Sequence, residues 1–257
     1  MTDLVGVAKH RGVVTITLNR PEKRNAMTME MWGELGRQCR SLAGDRDVAV
    51  VFVRGVGQHF CAGADVAGLQ VTDEDYVRTN LEAAAALVAL PQPTIAGITG
   101  SCVGGGVQIA TACDLRIADN TAVFGITPAR LGIVYPAPAL ARAVRLMGPS
   151  ATKHLLFSAE LIDAERALRV GLVDEVHAPD ALDRRLSEFA ALLADQRSHL
   201  TQQASKAMVD AMASDGGIPE RLVARWASEV AAADDPTEGV AAFLERRPPV
   251  FTWRNKG

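Results

Sequence analysis

Cysteine is scarce in this 257-residue sequence: Cys39, Cys61, Cys102 and Cys113 lie far apart, with neither the short paired spacing of a zinc site nor the density of a disulfide scaffold. They are expected as reduced, mostly buried thiols, and no metal site is expected. A basic surplus is missing too. The 27 Lys and Arg against 30 Asp and Glu give a net charge of −3 with no basic block, which excludes the electrostatic footprint of a nucleic-acid binder. No apolar run is long enough to span a bilayer, and Lys9, His10 and Arg11 arrive before a signal-peptide core forms, so a cytoplasmic address without a membrane partner is expected.

What the sequence does have is a globular composition, 48% hydrophobic and 22% charged, in a length that suits one α/β core plus an appendage. Residues 13–19 alternate with period two after the apolar residues 4–8, predicting an antiparallel pair that ends at Pro21. Thr28 reads as the N-cap of a helix to about residue 43, and 48–53 as a buried strand. Val77, Leu81, Ala84 and Val88 recur at helical spacing between 73 and 90. Pro91 and Pro93 then break the helix before a strand at 94–99. A short glycine-led helix up to Cys113 and a strand at 114–118 follow. From Ala137 onward the pattern is mainly helical, with Leu222, Trp226 and Val230 on one apolar face and Pro236 opening the last helix. A boundary is placed near Asp195, dividing the chain into 1–195 and 196–257.

Two segments carry candidate chemistry. Phe60-Cys-Ala-Gly-Ala-Asp65 follows a buried strand, and Gly104, Gly105 and Gly106 start a helix, where unpaired N–H groups and the helix dipole favour negative charge. If both face one pocket, two backbone amides converge on one oxygen, as a developing oxyanion requires. Other readings of the same residues stay open: glycines that only permit tight packing, a dinucleotide site with Asp119 about twenty residues beyond Gly100, or a nucleophile at Ser101 or Cys102. The glycines lack G-x-G-x-x-G spacing, and no partner for a nucleophile is identifiable among His10, His59, His154, His177 and His199.

The sequence resembles the crotonase, or enoyl-CoA hydratase/isomerase, superfamily over essentially its whole length. The resemblance is carried by Asn19-Arg-Pro-Glu-Lys-Arg-Asn-Ala26, by Phe60-Cys-Ala-Gly-Ala-Asp65, by Ile95-Ala-Gly-Ile-Thr-Gly-Ser-Cys-Val-Gly-Gly-Gly106 and Ala112-Cys-Asp-Leu115, and by segments 164–173 and 238–247. It implies an α/β spiral of ββα units with a C-terminal helical trimerisation region, a homotrimer or a dimer of trimers, and an acyl thioester whose coenzyme A is part of the substrate rather than a permanently bound cofactor. It also implies oxyanion amides at Ala64 and Gly105. Cys61, Ala62 and Asp65 would line the adenine end, while Lys23, Arg24 and Arg246 would meet phosphates; for each basic residue a solvated surface role is the alternative.

The family's hydratases use two glutamates. By position these fall here at Gln108, which cannot take a proton at neutral pH, and at Pro128. The carboxylate of family isomerases falls near Pro136. Tyr135 remains, one of two tyrosines in the chain, and the stretch from Thr127 to Tyr135 resembles that of methylmalonyl-CoA decarboxylase, although that enzyme has a histidine in place of Ala64 and a glutamate in place of Gln108. Decarboxylation of a malonyl-type CoA ester forms the enolate without a base, so it is the specific expectation. A hydratase or isomerase with a non-standard acid such as Asp73 or Asp75, and a non-catalytic acyl-CoA binder, are the alternatives. Tyr135 is either a catalytic group or a packed residue with its hydroxyl at a pocket rim. Arg130 is read as meeting a substrate carboxylate or forming a helix-surface salt bridge.

Overall fold

The computed structural model describes residues 3–67 and 74–254, with the Asp215 side chain excluded. Its first strands, β1 (Val5–His10) and β2 (Val13–Leu18), pair antiparallel across the tight turn at Arg11 and Gly12. The alternation of β2 puts Val14, Ile16 and Leu18 into the core. After a 3-10 turn at Pro21–Lys23 comes α1 (Met29–Ala43), whose N-cap Thr28 accepts from the Met31 amide, satisfying one of the first-turn donors. β3 (Val50–Gly55) lies parallel to β2 and is buried along most of its length.

α2 (Glu74–Val88) follows. Its buried face is Asn80, Ala83, Ala84 and Leu87, one step round from the stripe expected, and Val77 and Val88 are 45% and 37% exposed. The alanine run hides the helix phase in the sequence. Small residues are required here because α1 comes close: a Cβ on Gly36 would stand 3.3 Å from the Ala83 Cα.

β4 (Thr94–Ile98), β6 (Leu115–Asp119) and β9 (Glu175–His177) extend the main sheet in parallel, in the order β1-β2-β3-β4-β6-β9. β5 (Ser101–Val103), β7 (Val123–Gly125) and β8 (Ile162–Asp163) form a second sheet. The chain thus runs β4-β5 into α3 (Gly105–Ala110) and β6-β7 into α4 (Ala137–Ser158), and each second strand leaves the main sheet for the other one. This is the strand-strand-helix spiral the sequence implies.

The bend between the sheets is glycine-dependent at Gly100, which has a φ of 51° and where a Cβ would collide with the Gln58 carbonyl, and α3 packs on the loop after β3 through Gly106, where a Cβ would collide with the Cys61 carbonyl. α4 is broken at Gly148, whose φ of 73° and ψ of 169° precede Pro149. α5 (Ala164–Arg169) leads to β9, and α6 (Pro179–Asp195) lays Leu182, Leu186 and Ala190 over Val50, Phe52, Ile95 and Ile117 of the main sheet.

Beyond residue 195, α7 (His199–Asp215), α8 (Glu220–Ala231) and α9 (Asp235–Glu245) are organised around their own cluster of Leu200, Ala204, Trp226 and Trp253. Leu222 packs against it, but Val230, assigned to the same face from the sequence, is 42% exposed. Lys206 ties α7 to the core, donating to the Gln92 carbonyl and pairing with Asp114 at 2.7 Å. Among the described residues no helix is long and apolar enough to cross a membrane, and no group of three or more His, Cys, Asp or Glu residues is placed to hold a metal ion.

Candidate active site

The loop after β3 is stitched into place from both sides. The Cys61 amide donates to Ser101 at 2.8 Å and the Cys61 carbonyl accepts from Val103 at 3.0 Å, so the loop lies beside β5. On its other edge Met27 donates to Gly63 at 2.8 Å and accepts from Asp65 at 2.9 Å. In a parallel bridge of this kind the residues flanking Ala64 take up Met27, so the Ala64 N–H points the opposite way. Asn25, fully buried at a φ of 57°, braces the entry by donating to Val56 and His59 and accepting from Arg20.

Gly105 opens α3, and its N–H belongs to the first turn, which has no intrahelical acceptor. Among the described residues neither this amide nor that of Ala64 has a hydrogen-bond partner. The two segments touch: a Cβ on Gly105 would stand 3.5 Å from the Ala64 nitrogen, and one on Gly63 would stand 3.6 Å from the Gly105 nitrogen. The packing role considered for the glycines therefore applies to Gly106, while Gly104 supplies a turn, with φ of 53° and ψ of −107°.

Ala64 and Gly105 both line a cavity of about 490 Å³. Its wall is Trp32 from α1, Tyr76, Val77 and Asn80 from α2, Gln108 from α3, the loop 62–64, Thr127, Pro128 and residues 131–136. Ala62, Ala64, Gly105, Gln108 and Tyr135 all line this one cavity.

Three residues that sequence reasoning missed join them. Asn80 and Gln108 exchange amide bonds, Gln108 donating at 2.6 Å and Asn80 at 3.3 Å, and Trp32 donates its indole N–H to the Tyr76 hydroxyl at 3.1 Å. A polar residue on the buried face of α2 was the signal for Asn80, obscured by the wrong helical phase. Tyr76 and Tyr135, the only tyrosines, both line this cavity.

Tyr135 is 8% exposed and donates its hydroxyl to the Gly104 carbonyl at 3.1 Å; burial pushes its phenol pKa up. Burial likewise raises that of Tyr76. No carboxylate, imidazole, thiol or cation lies among the described lining residues. Pro128 and Pro136 line the wall as well.

The remaining candidates lie elsewhere. Cys61, expected at the adenine end, is fully buried off the cavity wall, where its sulfur accepts from the Gly63 amide at 3.4 Å, and burial lifts its pKa to about 12. Asp65 is not a free acceptor: Arg20 bonds it at 2.6 Å and holds its carboxyl below the usual range. Lys23 and Arg24 are exposed on the 3-10 turn, attached to the cavity loop through the bond from the Ala62 amide to the Arg24 carbonyl. Arg246 is an exposed C-cap of α9, away from the wall. Arg130 is exposed on a 3-10 turn and forms no ion pair among the described residues, contrary to the surface salt bridge expected. Asp75 pairs with Arg78 at 2.7 Å and is not on the wall, and Asp73 lies outside the described residues.

The other chemistries lose their geometry. Asp119 is 3% exposed and accepts from the amide and hydroxyl of Thr121, a local turn rather than a ribose contact. His59 accepts from the Ser101 backbone amide at 3.1 Å, not from its hydroxyl. Cys102 is fully buried, which pushes its pKa well up and leaves no thiolate to act. All four cysteines are unpaired and buried, as expected.

The sequence pattern of the enoyl-CoA hydratase/isomerase family matches residues 8–254. The chain belongs to this family. Among its relatives is a putative enoyl-CoA hydratase/isomerase of Bacillus subtilis, 34% identical over 248 residues that cover 95% of each chain. A putative enoyl-CoA hydratase of Thermus thermophilus is also 34% identical, over 93% of this chain and 97% of its own.

Among solved structures, an enoyl-CoA hydratase/isomerase family member superimposes with a TM-score of 0.91 at 35% identity over 98% of both chains. An enoyl-CoA hydratase/carnithine racemase of Magnetospirillum magneticum gives 0.92 at 31% over 98% and 96%. The fold is therefore that of the crotonase superfamily. Within this enoyl-CoA hydratase/isomerase family member, the two positions at which the resemblance puts hydratase glutamates, Gln108 and Pro128, stand on the cavity wall without a carboxylate.

Proposed function

We propose that the cavity binds an acyl-CoA thioester with its carbonyl oxygen between the Ala64 and Gly105 amides, and that the reaction runs through the thioester enolate by decarboxylation of a malonyl-type ester. The observation that carries this is that, among the described residues, the wall is neutral and the two amides are unpaired. Hydration or isomerisation needs groups that move protons, and losing such assistance forfeits about 10²–10⁴ in rate. Loss of carbon dioxide breaks a C–C bond whose electrons flow directly into the thioester, so amide donors alone stabilise the charge that develops. Asn80 and Gln108 each use one side-chain N–H on the other, and their second N–H groups are polar donors that can orient the departing carboxylate.

A second reading has its own support. The relatives in Bacillus subtilis and Thermus thermophilus are named a putative enoyl-CoA hydratase/isomerase and a putative enoyl-CoA hydratase, and an uncharged enoyl chain also suits a neutral lining. A carrier that binds thioesters without turnover is the third. Lys23 and Arg24, beside the cavity loop, are the proposed phosphate contacts. Phe157, Phe243 and Leu244 are 77%, 82% and 73% exposed, large apolar side chains whose burial would suit a homotrimer or a dimer of trimers. The four unpaired thiols suit the reducing cytoplasm.

The test is parallel turnover of crotonyl-CoA, followed by enone absorbance, and of methylmalonyl-CoA, followed by mass spectrometry of the thioester. Conversion of methylmalonyl-CoA alone supports decarboxylation. Conversion of crotonyl-CoA alone replaces it with hydration, and tight binding without either conversion leaves the carrier.

A further inference from the structure

The peptide unit joining Gly104 to Gly105 has two differently occupied ends. Its N–H belongs to Gly105, a residue of the cavity wall, and has no acceptor among the described residues. Its carbonyl, on Gly104, accepts twice: from the Gln108 amide at 3.0 Å, which begins α3, and from the Tyr135 hydroxyl at 3.1 Å. We infer that Tyr135 is a positioning residue that acts through the Gly104 carbonyl to aim and strengthen the Gly105 N–H as an oxyanion donor. This rests on the oxyanion reading proposed above.

Orientation is the first reason. A peptide flanked by two glycines has no Cβ on either side to resist rotation about its ends, and Gly104 already sits at a φ of 53° and a ψ of −107°. A flip of that unit would turn the carbonyl toward the cavity and take the N–H out of it. The Gln108 bond anchors the carbonyl from within α3, and Tyr135 anchors it from a separate element. Tyr135 is itself held by Pro136, which restricts the backbone of the residue before it to extended conformations and stands at the N-cap of α4.

Polarisation is the second reason. A hydrogen bond accepted at an amide oxygen draws electron density from the nitrogen, and bonds linked in this way reinforce one another by about 10–30% each. The tyrosine thus strengthens the donor at the far end of the same peptide.

The same bond excludes a direct role. The phenol has one proton, and it is engaged on Gly104, so it neither protonates an enolate nor binds a substrate carboxylate while that bond persists. Burial of the hydroxyl keeps it protonated through the neutral pH range, so the anchor does not titrate there.

The test reads the thioester carbonyl and needs no turnover. Butyryl-CoA labelled with carbon-13 at the thioester carbon is bound to the full-length protein and its carbonyl band followed by infrared difference spectroscopy. The wild-type band is expected at lower wavenumber than that of free ligand. Tyr135→Phe is expected to lose most of that shift while the affinity for coenzyme A stays within about twofold, and kcat for any thioester converted falls about tenfold with KM little changed.

Replacing Tyr135 by 3-fluorotyrosine, a stronger donor of nearly the same shape, is expected to deepen the shift, and it stands in if the phenylalanine variant does not fold. A wild-type shift retained unchanged in both variants overturns the relay and leaves the oxyanion reading intact. An unshifted wild-type band removes the oxyanion reading itself.

Discussion

Asn80 and Gln108 close on each other as a pair of amides at the inner wall of the cavity, Gln108 donating at 2.6 Å and Asn80 returning a bond at 3.3 Å. Both side chains are almost wholly buried, 6% and 2% exposed. The place the family resemblance reserves for a glutamate is therefore a satisfied neutral pair, and an amide held in this way has no proton-accepting group to offer water.

That pairing gives a test by restoration. Gln108→Glu together with Pro128→Glu is expected to raise crotonyl-CoA hydration by about 10² or more, because general acid–base assistance is worth about 10²–10⁴. Either single change should gain far less. The rate of enone loss at fixed enzyme concentration measures this. A parent that already hydrates rapidly, with nothing gained by the double variant, would refute the argument from absent carboxylates.

Gly105→Pro removes one amide donor while respecting the helix, since proline is tolerated at the first helical position. Turnover is expected to fall by about 3–4 kcal/mol of barrier, or roughly 10²–10³-fold. Steady-state kinetics beside a thermal melt separates this from unfolding. Retained turnover in a folded variant would take Gly105 out of the mechanism.

Arg116 is 2% exposed, and its guanidinium donates to the Cys113 and Asp114 carbonyls and to Asp174 at 2.7 Å. Asp174 also accepts from the Arg116 backbone amide. Asp174→Ala leaves a buried charge without its counter-ion and is expected to cost about 3 kcal/mol of stability. Urea unfolding followed by circular dichroism gives the value. An unchanged midpoint would mean that the backbone carbonyls suffice.

Glu175 on β9 accepts two bonds from Arg185 and a further contact from His177, and the Arg185 bonds above all hold its pKa at about 2 instead of the ordinary 4.5. In the unfolded chain this carboxyl takes its proton near pH 4.5, so its contribution to stability is complete above that pH and disappears as the pH falls to about 2. Melting temperature against pH should drop through this window, and Glu175→Gln should flatten part of the drop. A parallel curve for the variant would assign the acid sensitivity to other groups.

Much of the fold was legible from local pattern. The alternation of 13–19, the Thr28 cap and the buried run at 48–53 each specify their element through contacts within a few residues, and the structure has strands at Val13–Leu18 and Val50–Gly55 and the cap at Thr28. The face of α2 was not legible, because alanines at 83–86 give the helix no phase until α1 selects the face that packs closest. β8 and β9, two and three residues long, have no periodicity to detect and form only because β7 and β6 already offer an edge.

The site divides along the same line. By itself the sequence determined which residues are able to act: a chain with Gln108 and Pro128 in place of two glutamates carries no proton-moving carboxylate at those positions whatever its shape, and glycines at 104–106 leave room for a ligand against the backbone. Only the tertiary structure decided which of these residues meet. Ala64 and Gly105 are 41 positions apart in sequence and touch because Cys61 pairs with β5 and Met27 turns the Ala64 amide outward. Cys61 and Asp65, in the same short motif as Ala62 and Ala64, were turned away from the cavity by burial and by Arg20. Sequence spacing sets what a segment offers, but which side of it faces a cavity depends on hydrogen bonds to strands brought alongside by folding.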